Sequence, residues 1–514
     1  MKKFAYSLLG LGAMLVTSCS MDLEPTGVIL DDVAVESAQD CFMFRNGIYG
    51  NLRALSTGGY ISYPEMQMDG FLGLITNGNR LGPINTGNIT SADSDMEGCW
   101  GGLYSAIADV NFFLDHAQQL VESGKLDAED VADVNHYIAE ARFGRAFFYY
   151  WLVDHYCPNY TDDNKGKNLG LPLVDHYAPS ADKSTYKGRA TLEETYNFIK
   201  ADLNAAYEGL QKVEETDKSA IRPMSNYLCT WTVKSLQARI ALLQRDFRTA
   251  YNLANEVINS GVYTLSTRSD YAAMWTTDTN NELIFRPASS KSELGISSTG
   301  SAWIGASDFQ ADYMPVPELV QIGPSDLFDS ERDIRYTTFF SERKLLSDGQ
   351  LILVPIFVKY PGNPTLMQTS TPNLMNMAKP FRLSEQYLIA AEAAQELGME
   401  SEAFTLLMTL RKNRISRFTE PSPYTGTTLR DEIRKERRRE LLGEGFRLSD
   451  LRRWGLGFNR SDVNYLSYPM AATVVVAASR EVVYQPNDYR YTWPIPSAEL
   501  QVNPQIAGQQ NPGY

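Results

Sequence analysis

Two pairs of amphipathic segments with small residues at matching positions constrain this chain most. Leu228, Trp231, Ser235, Ala238 and Leu242 recur at three- and four-residue steps, and after a short break Phe247, Ala250, Ala254 and Val257 do the same. Tyr387, Ala390, Ala394 and Leu397 repeat the pattern, followed past Gly398 by Ala403, Leu406 and Leu410. Ala238 to Ala250 and Ala391 to Ala403 are both twelve residues apart. Small residues at matching places on paired helices let two backbones approach closely, which is how helical repeats stack. The two hairpins are far apart in the chain, so the spacing predicts a repeat scaffold interrupted by insertions, with a generic helical bundle as the alternative.

Further helices fit the same scaffold, which is tetratricopeptide-like in its small-residue contacts. From Asp133 to Tyr156, the positions Tyr137, Ala141, Gly144, Phe148 and Leu152 lie on one helical face. Thr191 with Glu194 three residues later forms a capping box that opens a helix through Leu192, Ile199, Leu203, Ala206 and Leu210. Residues 262–380 lose this periodicity and gain Pro, Gly, Ser and aromatics, with strand-like stretches at Glu282–Phe285 and Leu351–Lys359. Residues 56–100 are similar, because Gly58-Gly59, Asn77-Gly78-Asn79 and Gly82-Pro83 require loop conformations. We therefore expect a helical scaffold mainly over 100–260 and 380–455, ligand-binding loops mainly over 56–100 and 262–380, and a C-terminal tail over 456–514. Long loops on a rigid scaffold are usually functional.

The first residues carry the parts of a secretory leader: basic Lys2 and Lys3, an apolar run from Phe4 to Val16, and small residues after it. Val16-Thr17-Ser18-Cys19 resembles a bacterial lipobox, so residues 1–18 are expected to be removed and 19–514 to form one domain. The Cys19 thiol would then take a diacylglycerol; each buried methylene contributes about 0.8 kcal/mol, so two or three chains anchor a soluble domain without a transmembrane helix. Asp22 and Glu24 resemble a surface-export signal. The formal net charge of −15 grows two units more negative once Lys2 and Lys3 leave, a balance that argues against nucleic acid as a partner. Cys41, Cys99, Cys157 and Cys229 contain no Cys-x-x-Cys and read as small buried hydrophobes.

No motif announces catalysis or a cofactor. His116, His136, His155 and His176 share no metal-ligand spacing, and there is no phosphate loop, His-Glu-x-x-His or Gly-x-Ser-x-Gly. Asp93-x-Asp95-x-Glu97-Gly98 copies the first half of a calcium loop, but its twelfth position is Tyr104 rather than a bidentate Glu, so a turn capping the next helix is expected. Arg437, Arg438 and Arg439 suggest an anion site, yet Leu429, Ile433, Arg437 and Leu441 fall on one helical stripe. That places Arg437 inside, in an ion-pair network drawn from Glu436, Glu440, Glu444 and Asp450.

Several segments resemble the SusD/RagB family of nutrient-binding lipoproteins. They are Ile433–Gly455, IRKERRRELLGEGFRLSDLRRWG; the terminus TWPIPSAELQVNPQIAGQQNPGY; RLSEQYLIAAEAAQELG in the later hairpin; and ARFGRAFFYYWLVDHY with LPLV after it. The resemblance implies a mostly α fold with about four tetratricopeptide-like hairpins and a loop-rich mixed half that holds the ligand. It further implies a SusC-like TonB-dependent outer-membrane transporter as partner, an oligosaccharide or polysaccharide as ligand, and no enzymatic activity. Peptide capture is the first rival; a surface glycosidase is a second, because its two carboxylates meet in space rather than in sequence; a structural adaptor is the last.

Sugar recognition needs flat apolar faces and planar polar side chains in loops. Asp69, Asn77, Asn79, Arg80, Asn85, Asn88 and Trp100 supply these in the early loop, where the family's sugar contacts often lie. Trp303 stands in the Gly/Ser-rich stretch SSTGSAWIGASDF, with Phe309 and Tyr313 after it. We expect Trp303, Asp69, Arg80, Asn79, Trp100 and Tyr313 to touch ligand, Trp100 having a packing role against Tyr104 as its alternative. Trp151, Trp231, Trp275 and Trp454 read as scaffold.

Overall fold

The computed structural model describes residues 34–292, 298–304, 311–323, 327–369, 373–461, 465 and 467–514. Residues 1–18, Cys19 and Phe309 lie outside the described residues. The fold is mostly helical, and among the described residues no helix is long and apolar enough to cross a membrane.

Eleven of the described helices frame the molecule: α1 (Ala38–Ala54), α2 (Gly59–Met66), α3 (Ser94–Glu122), α4 (Ala128–Tyr156), α5 (Leu192–Glu214), α6 (Thr230–Leu243), α7 (Phe247–Ile258), α8 (Leu383–Glu396), α9 (Glu400–Lys412), α10 (Gly426–Leu441) and α11 (Arg447–Trp454). They stack in series, α3 on α4, α4 on α5, α6 on α7 and α8 on α9. α7 packs directly on α8, so the repeats separated by the insertion between Ile258 and Leu383 are neighbours in space. Their seam is the alanine set read from the sequence: Ala238, Ala250, Ala254, Ala390, Ala391, Ala394 and Ala403 are all fully buried in one cluster. The Thr191–Glu194 capping box is formed, with Thr191 Oγ1 accepting from the Glu194 N–H at 3.1 Å. Asp93 caps α3, accepting from the N–H groups of Asp95 and Met96.

Two helices depart from expectation. α2 occupies part of the stretch expected to be loop; Gly58 provides the turn at φ 58° that starts it. α1 packs against α4, and Gly144 makes this possible: a Cβ there would lie 3.0 Å from Ile48 Cγ2.

The insertion, joined by strands from the early loop and the C-terminal tail, forms the mixed half from short antiparallel strands. β1 (Phe71–Gly73) pairs with β3 (Tyr313–Pro315), and β2 (Leu283–Phe285) with β6 (Phe381–Arg382). The longest ladder is the hairpin of β4 (Phe340–Ser347) and β5 (Gln350–Phe357), closed by Asp348-Gly349 with φ of 49° and 76°, the backbone a tight hairpin turn demands. β3 packs on β5. Near the C-terminus β7 (Phe458–Asn459) pairs with β8 (Val483–Tyr484).

A buried ion-pair network binds the two halves. Glu440 on α10 receives Arg382 from β6 at 2.6 Å, Arg335 from the short helix Ile334–Phe339 at 2.9 Å, and Arg414 at 3.0 Å. Glu282, beside β2, bridges Arg382 and Arg414 at 2.9 and 2.8 Å. Burial would raise the Glu440 carboxyl, but the three guanidiniums outweigh it and hold it well below the usual carboxylate range. Arg437 is buried on Asp450 at 2.8 Å, as its place on the helical stripe implies. All four described cysteines are buried thiols.

Candidate functional site

The loop-rich half gathers the early loop, the Trp303 segment and the β4–β5 hairpin on one chain of strands, β1 to β3 to β5. Its outer corner is the turn after β1. Asn79 takes φ 60° there, and Arg80 extends from it with 43% of its side chain exposed. The Arg80 guanidinium donates to the Ser301 carbonyl at 2.8 Å, the Ala302 carbonyl at 3.2 Å and the Asp312 carboxylate. Tyr313 Oη donates to the Arg80 carbonyl. The two expected loops therefore meet, with Asn79 and Arg80 as their exposed edge.

The aromatics expected at that edge lie beneath it. Trp303 is fully buried, its ring 5.6 Å from Phe71, 5.0 Å from Phe357 and stacked on Tyr360 at 5.9 Å. The expectation that Trp303 faces a ligand is corrected by three rings from distant segments, which supply the core its Gly/Ser-rich neighbours lack. Tyr313 is also fully buried, and its hydroxyl supports the turn rather than opening to solvent. Trp100 is buried between Tyr104, at 4.8 Å, and Tyr156, at 5.0 Å, which is its packing alternative.

Asp69 is an ion-pair partner inside the half. Its carboxylate takes both Nε and Nη2 of Arg447, at 2.7 and 2.6 Å, and Arg438 at 3.2 Å. Burial pushes the carboxyl up, and Arg438 and Arg447 overcome it to hold it far below the usual range. Asp69→Asn is expected to lower stability by about 2 kcal/mol in guanidinium melts while leaving ligand affinity unchanged. A loss of affinity at unchanged stability would return Asp69 to the binding surface.

The cleft in this half opens on the β4–β5 hairpin. It holds about 540 Å³ and is lined by Ile322, Ser330, Tyr336, Phe340, Ser341, Glu342 and Tyr468. Phe340 and Glu342 share one face of β4 because strand side chains alternate. The Tyr336 ring lies 5.5 Å from Phe340, and Tyr468 Oη donates to Glu342 Oε1 at 3.0 Å, which orients the carboxylate. Phe340 and Tyr468 are buried behind the half-buried Tyr336, so the cleft offers one tyrosine ring beside a carboxylate and the Ser330 and Ser341 hydroxyls, a combination that suits a sugar ring. Sequence reasoning missed this cleft because Tyr336 and Tyr468 sit in segments with no periodicity, and nothing local brings them to the same strand.

A family model described as the SusD family matches residues 357–514, and one described as starch-binding associating with outer membrane matches residues 66–227. SusD-like protein P2 of Formosa agariphila is 25% identical over the whole of both chains. A SusD superfamily protein of Bacteroides thetaiotaomicron superposes with a TM-score of 0.72 at 25% identity, covering 93% of this chain and all of that one. A SusD-like carbohydrate binding protein of Bacteroides vulgatus has the same fold, with a TM-score of 0.67 at 17% identity over 92% of this chain and 98% of its own. Matched by such models over two separate stretches and by a SusD-like relative along its entire length, this chain belongs to the SusD/RagB family.

Proposed function

We propose that the protein captures a glycan at the cell surface and delivers it to a SusC-like TonB-dependent outer-membrane transporter, without covalent chemistry. Acyl chains on Cys19 hold it to the outer membrane in this reading. The observation that carries it is the hairpin cleft, where the half-buried Tyr336 ring, backed by the buried Phe340 and Tyr468, stands beside Glu342, Ser330 and Ser341. The exposed Arg80 and Asn79 extend the same half as further hydroxyl partners. Binding by ring stacking and a few hydrogen bonds is weak for one sugar and strengthens as more rings engage. A capture protein that must release its cargo needs that behaviour.

Two observations support binding over its rivals. Among the described lining residues of the cleft, Glu342 is the single carboxylate, whereas a glycosidase of the usual kind needs two about 5–9 Å apart. The accessible Tyr336 ring also suits a sugar face better than the polar backbone of an extended peptide.

The test is native electrophoresis in gels cast with soluble starch, xylan, laminarin or arabinan. At least one should retard the full-length protein, and Tyr336→Ala with Arg80→Ala should weaken retardation about tenfold. Migration unchanged on every glycan together with binding to peptide mixtures would overturn the glycan reading, and release of reducing sugar would overturn the non-enzymatic one. Metabolic labelling with palmitate, lost in Cys19→Ala, tests the anchor.

A further inference from the structure

We propose a second carbohydrate-binding site, on the helical side of the molecule, in the cleft between residues 172–187 and the C-terminal Glu499 and Asn503. This inference rests on the glycan-binding reading above and adds to it a site that shares no lining residue with the hairpin cleft. The cleft holds about 630 Å³, within the range of roughly 300–1,000 Å³ typical of small-ligand sites. Tyr104 and Tyr186 contribute rings, and Pro172, Val174 and Pro179 an apolar floor.

Both walls are fixed by buried polar groups whose bonds are spent on backbone rather than on solvent. Asn111 Nδ2 donates to the Val174 carbonyl at 2.9 Å, Arg145 Nη1 to the Asp175 carbonyl at 3.0 Å, and Tyr104 Oη to the Pro172 carbonyl at 3.0 Å. Tyr149 Oη accepts from the Val174 N–H at 2.8 Å. On the opposite wall Asn503, itself buried, donates to the Lys187 carbonyl at 3.0 Å and to Glu499 Oε1 at 3.1 Å. A loop held this firmly has little conformational entropy left to lose on binding.

The side chains that this rigid frame presents remain open. Asp175, His176 and Lys187 are 50%, 71% and 56% exposed. The Lys187–Asp175 pair, at 4.0 Å in solvent, is weak enough for both groups to turn to ligand hydroxyls. Asp175 and Glu499 outnumber Lys187, and His176 leans on Asp115 at 2.8 Å. With no positive excess, the cleft favours a neutral oligosaccharide over an acidic or sulfated one.

The test uses the full-length protein and an oligosaccharide prepared from whichever polysaccharide of the gel panel retards it. Calorimetric titration should approach two sugars per chain, falling to one in Tyr186→Ala and to one in Tyr336→Ala, with none in the double variant. Ala178→Trp, which fills the cleft from an exposed position, should reproduce Tyr186→Ala and so guard against a folding defect. Retardation on the polysaccharide should drop at least threefold in either variant. One sugar per chain in the parent protein, with Tyr186→Ala and Ala178→Trp both unchanged, overturns the second site and leaves the hairpin cleft standing. Binding that survives Tyr336→Ala in full but vanishes in Tyr186→Ala overturns the hairpin cleft and keeps this one.

Discussion

Glu440→Gln should destabilise the protein by about 4 kcal/mol, a larger loss than that expected of Asp69→Asn. The side chain barely changes in volume, so packing is not the cause. Glu440 is fully buried and shared by Arg335, Arg382 and Arg414, which are themselves almost fully buried. Neutralising it leaves three guanidiniums with one carboxylate fewer, and the new amide turns donor hydrogens toward groups that are donors already. Removing one partner of a buried pair costs about 3–5 kcal/mol, because the remaining charge has neither water nor a counter-ion.

The network also joins the halves: Arg335 and Arg382 come from the insertion and Glu440 from the scaffold. Hydrogen exchange in Glu440→Gln should therefore rise first in β6 and the Ile334–Phe339 helix, before the alanine seam between α7 and α8 opens. Guanidinium melts with Glu97→Gln as an exposed control provide the measurement. A shift below about 1 kcal/mol would mean that the carboxylate is dispensable, as surface pairs are.

What can be read from the sequence divides along the same line between local and distant partners. The alanine spacing of the hairpins, the Thr191 capping box and the inward face of Arg437 are set by residues within a few turns of one another, and all three hold in the structure. Arg437 even finds Asp450, thirteen residues on, from the set of acids proposed for it. Glu440 shows the limit: its partners Arg335 and Arg382 lie 105 and 58 residues away, and no periodicity points to them.

Trp303 fails for the same reason. A tryptophan among glycine and serine has no core that local sequence can display, yet Phe71 from one distant segment and Phe357 with Tyr360 from another enclose it. The turn residues of the early loop do lie at an edge of the mixed half. Which of its side chains remain outside depends on where Arg447 and Asp312 arrive to take Asp69 and Arg80.

Acid should loosen the C-terminal tail through His155, and the sign of the effect follows from its surroundings. The ring is buried, stacked on Trp151 at 3.8 Å and close to Trp493 at 4.8 Å. Its Nδ1 is 2.8 Å from the Trp151 carbonyl, which assigns the proton to that nitrogen. Burial lowers the imidazole to about 4, against 6.5 for the free side chain, with Asp154 and the Trp151 carbonyl opposing the shift in part.

Between those values the unfolded chain binds a proton that the folded one refuses. The contribution to stability is therefore complete above pH 6.5 and is lost as pH falls toward 4, amounting to about 3 kcal/mol over that window. The His155 carbonyl accepts from the Trp493 N–H at 2.8 Å, and Asn511 donates to the carbonyls of Tyr156 and Trp493, so this strain falls where the tail docks on α4. His155→Phe keeps a flat ring between the tryptophans and cannot be protonated. Relative to it, the parent protein should lose about 2 kcal/mol of stability between roughly pH 7.5 and 4.5, with tryptophan fluorescence shifting before the main unfolding transition. The carboxylates common to both proteins cancel in that difference, so parallel pH dependences would show that His155 does not carry the effect.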